Sequence, residues 1–407
     1  MQNDYTDISI KIPEYVRRAL ERLVKNGYEA YAVGGGVRDS IIGRRIHDWD
    51  VTTAAPVDAT EKIFQRNVPT GKKFGTVMVV TGGHHIEITT FRTEGTYSES
   101  RHPENVDFVS DLLTDLARRD FTMNAMAADI DGRVIDPYDG ISDIRAKLIR
   151  CVGDPRVRFT EDALRMLRAV GFAARLGFLI EKDTLSAIYD CAHLAAALSA
   201  ERVRDETEKI IFSDRPELIC LALEAGLLEK YCGVVKGTEE VRQRFARMKT
   251  LTKYRLTRWC ALCALLMDVG AITEPKVFLS ALRLDGKTVE MAEKACRIMS
   301  RGMPETRLGL KLLCVAEGVD VAFCAAAVSD MMTGGRIARA LLEITTSREC
   351  LSVQELAVSG IDLMEAGVVE GREVGKKLHE LLDHVLEHPE DNTKEKLLKM
   401  VKQGSKL

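Results

Sequence analysis

Residues 34–53, GGGVRDSIIGRRIHDWDVTT, decide the fold. They follow YEAYAV (28–33), which the sequence predicts to be a strand. A strand that runs into glycines and then a helical segment lets backbone N–H groups approach phosphate oxygens closely, and a helix N-terminus favours anions. Gly35 is therefore a candidate phosphate contact, and Arg38 adds a charge-assisted one. About ten residues on, HDWD places Asp48 and Asp50 two apart in a β-like context. Side chains at i and i+2 of a strand share a face. Two acids held so close repel unless a cation sits between them. Mg²⁺ takes oxygen ligands and also binds substrate phosphates. An isolated DxD is more often a surface strand end. Here the glycine turn and a third carboxylate, Glu87 in IEITT on a later strand, point to metal chemistry.

Outward from this stretch, residues 13–26 have apolar positions at helical spacing, with Gly27 suited to a C-cap. TVMVV (76–80) and HHIEITT (84–90) flank Gly82-Gly83 as a hairpin. AMAADI and RVID flank Asp131-Gly132, a second hairpin turn. After residue 150 the pattern is helical almost to the end. The expectation is an α+β protein: a catalytic head with a mixed sheet over 1–150, a helical neck over 151–215, a helical body over 216–350 and a helical tail over 351–407.

The composition is that of an ordinary globular chain, 46% hydrophobic and 29% charged, with a net charge of −3. No strong field covers the whole surface, so a nucleic-acid partner must be held by local basic patches. No long apolar run predicts a membrane span, and the N-terminus lacks the pattern of a signal peptide. The ten cysteines read as reduced thiols of a cytoplasmic protein. Cys260 and Cys263 form a CxxC inside an apolar helical run. No second ligand pair accompanies them, which favours core over zinc.

GGGVRDSIIGRRIHDWDVTT resembles the first motif of the class II nucleotidyltransferases, the family of bacterial CCA-adding enzymes and poly(A) polymerases. RRDFTMNAMA (118–127) is similar to the second motif, EDALRMLRA (161–169) to the nucleotide-selecting motif, and ERVRDE (201–206) to the one after it. The resemblance implies nucleotide addition to a tRNA 3′ end from CTP and ATP. It places Mg²⁺ on Asp48 and Asp50, and the nucleotide on Gly35, Arg38, Arg119 and Arg168, with Asp120 near the ribose. One departure stands out. Where many relatives continue the arginine row one turn after Arg168, this chain has Gly171, and Arg175 follows one turn later.

In EDALRMLRA, helical spacing predicts that Asp162, Arg165 and Arg168 share a face. An ionised Asp only accepts hydrogen bonds and an Arg only donates them. Together Asp162 and Arg165 fit the amino donor and ring-nitrogen acceptor that cytosine and adenine both present, and they mismatch guanine and uracil. The family uses these positions as an amino-acid template, and the resemblance carries that role here. The same pair could also be an ordinary surface ion pair.

Residues 242–258 (RQRFARMKTLTKYRLTR) carry seven Lys/Arg and no acid, with Phe245 and Tyr254 interleaved. They read as either an RNA contact or a solvated helix face. GKKFGTVMV (71–79) and FRTEGTYSESRHP (91–103) resemble segments of enzymes that add the whole CCA. A poly(A) polymerase or an enzyme adding only A is the alternative. His379, His384 and His388 lie on a helical stretch without a His–Asp constellation for phosphohydrolase chemistry. The sequence leaves the oligomeric state open.

Overall fold

The strand before the glycines is β2 (Ala30–Val33), buried along its whole length. In the computed structural model, residues 5–71, 75–94, 97–98, 102–103, 106–108, 111–368 and 371–404 are described. The chain forms two compact units, Met1–Gly237 and Thr238–Leu407.

The first unit is built on an eight-stranded sheet in the order β1-β12-β11-β2-β3-β6-β5-β4. Its members are β1 (Tyr5–Ser9), β2, β3 (Asp50–Thr53), β4 (Asn67–Gly71), β5 (Thr76–Thr81), β6 (His84–Thr90), β11 (Ala127–Ala128) and β12 (Arg133–Ile135). Two short ribbons pair β7 (Arg92–Glu94) with β10 (Val106–Phe108), and β8 (Tyr97–Ser98) with β9 (His102–Pro103). Both expected hairpins form: Thr81 pairs with His84 across Gly82-Gly83, and Ala128 pairs with Val134. The sheet is mixed because β3 runs parallel to β6 while its other neighbour, β2, is antiparallel to it.

Helix α1 (Glu14–Lys25) has apolar residues at 16, 19, 20 and 23. That period lays one stripe into the core. Val77, Val79, Ile86 and Ile88 are buried on alternate positions of β5 and β6, as a sheet covered on one face requires. Helix α2 (Gly35–Ile42) starts directly after β2. Between them Gly34 has φ 69°, a conformation that favours glycine. Gly36 must be small for another reason: a Cβ there would stand 2.8 Å from the Trp49 ring, which fills that space.

After α3 (Val57–Ile63), α4 (Leu112–Ala117) and α5 (Gly140–Ala146), the unit becomes mainly helical: α6 (Pro155–Glu161), α7 (Leu164–Leu176), α8 (Lys182–Cys191), α9 (Ala200–Ile211) and α10 (Ile219–Glu224). A short parallel pair, β13 (Leu148–Ile149) with β14 (Leu179–Ile180), interrupts the helical pattern expected after residue 150.

The second unit is helical, from α11 (Glu239–Ala246) and α12 (Arg255–Asp268) through α13 (Pro275–Ala281), α14 (Gly286–Arg301), α15 (Arg307–Glu317), α16 (Val319–Thr333) and α17 (Ile337–Thr346) to α18 (Gly360–Glu365), α19 (Arg372–Glu387) and α20 (Lys394–Gly404). Cys260 and Cys263 are buried on α12, as expected. The basic run 242–258 is largely spent inside this unit. Arg244 pairs with Asp268 and Glu240, Arg247 donates to the Met332 carbonyl, and Arg255 pairs with Asp285. Arg258 is 1% exposed and donates to the carbonyls of Leu251 and Thr252. Phe245 is buried and Tyr254 is 52% exposed. An arginine capping carbonyls in a core serves packing, which the charge count alone could not reveal.

Candidate active site

Asp50 opens β3, and Asp48 stands before the strand. Trp49 between them is buried against Gly36, while Asp48 is exposed and Asp50 half-buried. The expected strand thus begins at the second acid. The buried Trp49 still separates the two acids from the core. Asp50 and Glu87 are Cα partners on parallel strands, with Asp48 two residues ahead of the strand.

Burial first, then the Glu87 charge, push the Asp50 carboxyl up to about 6. Arg119 draws it down and Asp48 adds to the rise. Crowded anions in a partly dry place are what a divalent cation would relieve. Among the described residues, no group of three or more His, Cys, Asp or Glu is placed to hold an ion by itself. That fits an ion completed by substrate oxygens, since Mg²⁺ commonly uses one or two carboxylates plus phosphates. Gly34 keeps the approach open: a Cβ there would lie 3.2 Å from Arg119 Nη1 and 3.6 Å from Asp50 Oδ2.

Arg119 leaves the end of α4 and donates from Nη2 to Asp115 Oδ2 at 3.2 Å. Burial works to raise Asp115, but Arg119 and Arg118 hold its carboxyl below the usual value. Arg118 and Arg119 are thus both held by one buried acid. Asp120 is 9% exposed, and its Oδ2 accepts both Arg168 Nε (2.8 Å) and Arg168 Nη2 (2.7 Å). Its Oδ1 accepts the Phe121 amide and Asn124 Nδ2. Against burial, Arg168 and Asn124 keep this carboxyl low. Asn124 Oδ1 in turn accepts Arg38 Nη1 at 2.7 Å, and Arg38 Nε donates to Asp39. One hydrogen-bonded chain thus links Arg38, Asn124, Asp120 and Arg168.

A ring organises the same cluster. The Arg38, Arg168 and Arg175 guanidiniums lie 5.0, 5.3 and 4.8 Å from the Phe172 centroid. Arg175 does join the arginine row, although it stands a turn beyond Gly171. Burial lowers the Arg175 pKa first; Glu206 opposes this, and Arg38 and Arg168 lower it further. Gly171 is small because a Cβ there would stand 3.3 Å from Glu206 Oε2. Glu206, 3% exposed, pairs with Lys209 at 2.8 Å and lies 3.8 Å from Arg168. Sequence reasoning missed Asn124, Phe172 and Glu206 as organisers of the arginines. Asn124 and Glu206 lie in the motifs quoted and Phe172 just beyond one, but cation–ring and side-chain bridges between distant segments leave no spacing pattern.

The expected single helix face at 162–168 is not formed. Asp162 is the C-cap of α6 with extended backbone (φ −146°, ψ 102°), and α7 starts anew at Leu164. The reason is capping: Asp162 Oδ1 accepts the Leu164 amide at 3.1 Å, a task that suits aspartate better than a mid-helix place. Its Oδ2 accepts Arg202 Nη2 at 2.7 Å. Arg165 is 5% exposed and donates to Glu161 (2.7 Å), the Arg158 carbonyl (3.1 Å) and the Arg118 carbonyl (2.8 Å). Arg168 is directed to Asp120 instead.

In the second unit, His384 Nε2 lies 2.8 Å from Asp391 Oδ2 and its ring lies 4.8 Å from that of His388. A His–Asp pair is thus present where none was expected, but Lys396 takes the other Asp391 oxygen. The segments 71–79 and 91–103 fall partly outside the described residues.

Three family models match in order along the chain: the poly A polymerase head domain over 30–150, a probable RNA and SrmB-binding site of polymerase A over 177–231, and a putative tRNA nucleotidyltransferase domain 2 over 255–401. The CCA-adding enzyme of Geobacillus sp. (strain WCH70) is 37% identical over 93% of this chain and 94% of its own length. The chain belongs to the family of the CCA-adding enzymes. Another CCA-adding enzyme, from Levilactobacillus brevis, is 37% identical over 90% of this chain and 92% of its own. The solved Bacillus stearothermophilus CCA-adding enzyme in complex with CTP superposes with a TM-score of 0.80 at 32% identity, covering 97% of both chains. The Thermotoga maritima CCA-adding enzyme complexed with tRNA_CCA shares the fold at 18% identity and TM-score 0.69. Nucleotidyltransferases of this family are metal-dependent. No helix among the described residues is long and apolar enough to cross a membrane.

Proposed function

We propose that the protein adds CCA to the 3′ end of tRNA without a nucleic-acid template, using CTP and ATP and releasing pyrophosphate. The observation that carries this reading is Asp50 set opposite Glu87 on parallel strands, with Arg119 beside Asp50 at Gly34. It is supported by relatives named CCA-adding enzymes that match over nine-tenths of the chain. The same relatives favour it over a poly(A) polymerase or an enzyme adding only A.

Asp48 and Asp50 would hold Mg²⁺, which supplies a Lewis acid for the attacking hydroxyl and the leaving pyrophosphate. The chain's own groups do the positioning. Gly34 and Gly35 leave room for phosphate at the start of α2. Arg38, Arg119, Arg168 and Arg175 supply positive charge for the triphosphate. Asp120 orients Arg168 through two hydrogen bonds that converge on its Oδ2, so its part in reading the ribose is indirect. For base choice, Asp162 keeps one acceptor oxygen on Arg202 and one on a backbone amide, and Arg165 keeps its donors on Glu161 and carbonyls. Each Asp162 oxygen keeps a second lone pair for a base donor, so the template role is compatible with those bonds. The division into head (1–150), neck (151–215), body (216–350) and tail (351–407), with tRNA contacts in the last two, belongs to this proposal, as does a cytoplasmic location.

The test is incubation with tRNA lacking its 3′ CCA and each of the four labelled NTPs. Incorporation of CMP twice and then AMP, with GMP and UMP refused, is the expected outcome. Failure to incorporate CMP overturns it.

A further inference from the structure

A groove of ≈ 480 Å³ lies on the first unit, outside the nucleotide site. Arg18 and Arg22 of α1, Lys62 at the end of α3, Arg66 after it and Gly82 at the β5–β6 turn line it, and its lining contains no acid. Arg18 and Arg22 are i and i+4, so they share a helix face. Arg22, Lys62 and Arg66 are exposed and form no ion pair among the described residues. Arg18 pairs with Glu14 at 2.9 Å, but both are well exposed, and such pairs contribute little. Arg22 lies 5.8 Å from the ring of Phe64, a buried residue at the groove. Four like charges around one concave, polar-rimmed surface attract a polyanion, not a small apolar ligand.

The groove points back to the acids through the hairpin turn. A Cβ on Gly82 would lie 3.3 Å from Tyr15 Cβ. The Tyr15 ring stacks on His84, the first residue of β6, with centroids 4.1 Å apart. Because β3 and β6 are parallel with Asp50 opposite Glu87, Asp48 lies toward the same end of the sheet as the turn.

We propose that this groove holds a stretch of the sugar–phosphate backbone of the RNA substrate, away from the nucleotide site. The proposal rests on the function proposed above for the RNA's identity, but it concerns a surface separate from the nucleotide site.

The test uses the full chain carrying R22Q, K62Q and R66Q together, and tRNA lacking its 3′ CCA, with binding measured across a salt series. The tRNA Kd should rise about tenfold or more, and the slope of log K against log salt should flatten by about 2 to 3. The KM for CTP should stay within about twofold, which also reports an intact fold. An unchanged tRNA Kd and slope overturn the proposal. So does a raised KM for CTP with unchanged tRNA binding, which would assign the groove to the nucleotide. If the triple variant loses tRNA affinity and slope as expected while the unaltered chain adds no nucleotide, the groove stands and the proposed function falls.

Discussion

Asp50 and Glu87 are register partners on adjacent parallel strands, and their charges oppose each other in a half-dry site. The folded-state pKa of Asp50, about 6, lies above the unfolded value of 3.8. Its ionised form is thus disfavoured by folding. The cost is absent below the unfolded value, grows between the two, and is complete above the folded one. Asp50→Asn should therefore stabilise the metal-free protein at pH 8 by about 1–3 kcal/mol. The gain should vanish near pH 4. Urea unfolding in a chelator at the two pH values checks this; equal effects at both would contradict it.

The same proton competes with a cation. Divalent-ion affinity of the protein should fall by up to about tenfold per pH unit below about 6. It should be flat between pH 7 and 8. Calorimetric titration with Mn²⁺ measures it, and affinity independent of pH from 5 to 7 would count against Asp50 as a ligand.

The sheet half of the fold was legible because short-range signals carry it: Gly82-Gly83 and Asp131-Gly132 set two hairpins, and alternate burial on β5 and β6 follows period two. Asp48, Asp50 and Glu87 were legible as acids on neighbouring segments. The break at Asp162 was not, because 161–169 keeps helical periodicity on both sides of a cap. Periodicity reports the face of a helix and is blind to a residue that ends one helix and starts the next. The spending of Arg258 on core carbonyls, and the gathering of Arg38, Arg168 and Arg175 on Phe172, depend on long-range packing that no local count contains.

Asp120 holds Arg168 by two charge-assisted bonds. Asp120→Asn should lower kcat/KM for CTP and ATP alike by about 10–100-fold, the equivalent of about 1.5–3 kcal/mol. Steady-state kinetics with both nucleotides read it. A loss confined to one nucleotide would show that Asp120 acts on the base, not on the arginine.

Phe172 supports three guanidiniums from one ring. Phe172→Leu preserves much of the buried volume but removes the π face, worth about 0.5–2 kcal/mol per cation. KM for both nucleotides should rise about three- to thirtyfold, with the tRNA Kd unchanged. Unaltered nucleotide KM would make the ring a packing element only.

Asp162 caps α7 and pairs with Arg202. If it also offers an acceptor to the incoming base, Asp162→Ala should reduce kcat/KM for CTP and ATP more than for UTP, narrowing the discrimination by about tenfold or more. Equal losses for all three would restrict the residue to capping.

The most direct measurement is single-turnover CMP incorporation into tRNA lacking its 3′ CCA, at saturating CTP and Mg²⁺, for the unaltered chain, D48A and D50A. Each variant is expected to bind tRNA and CTP normally while the rate falls by about a thousandfold or more. A variant that retains a rate within about tenfold of the original would contradict the assignment of these acids to the metal.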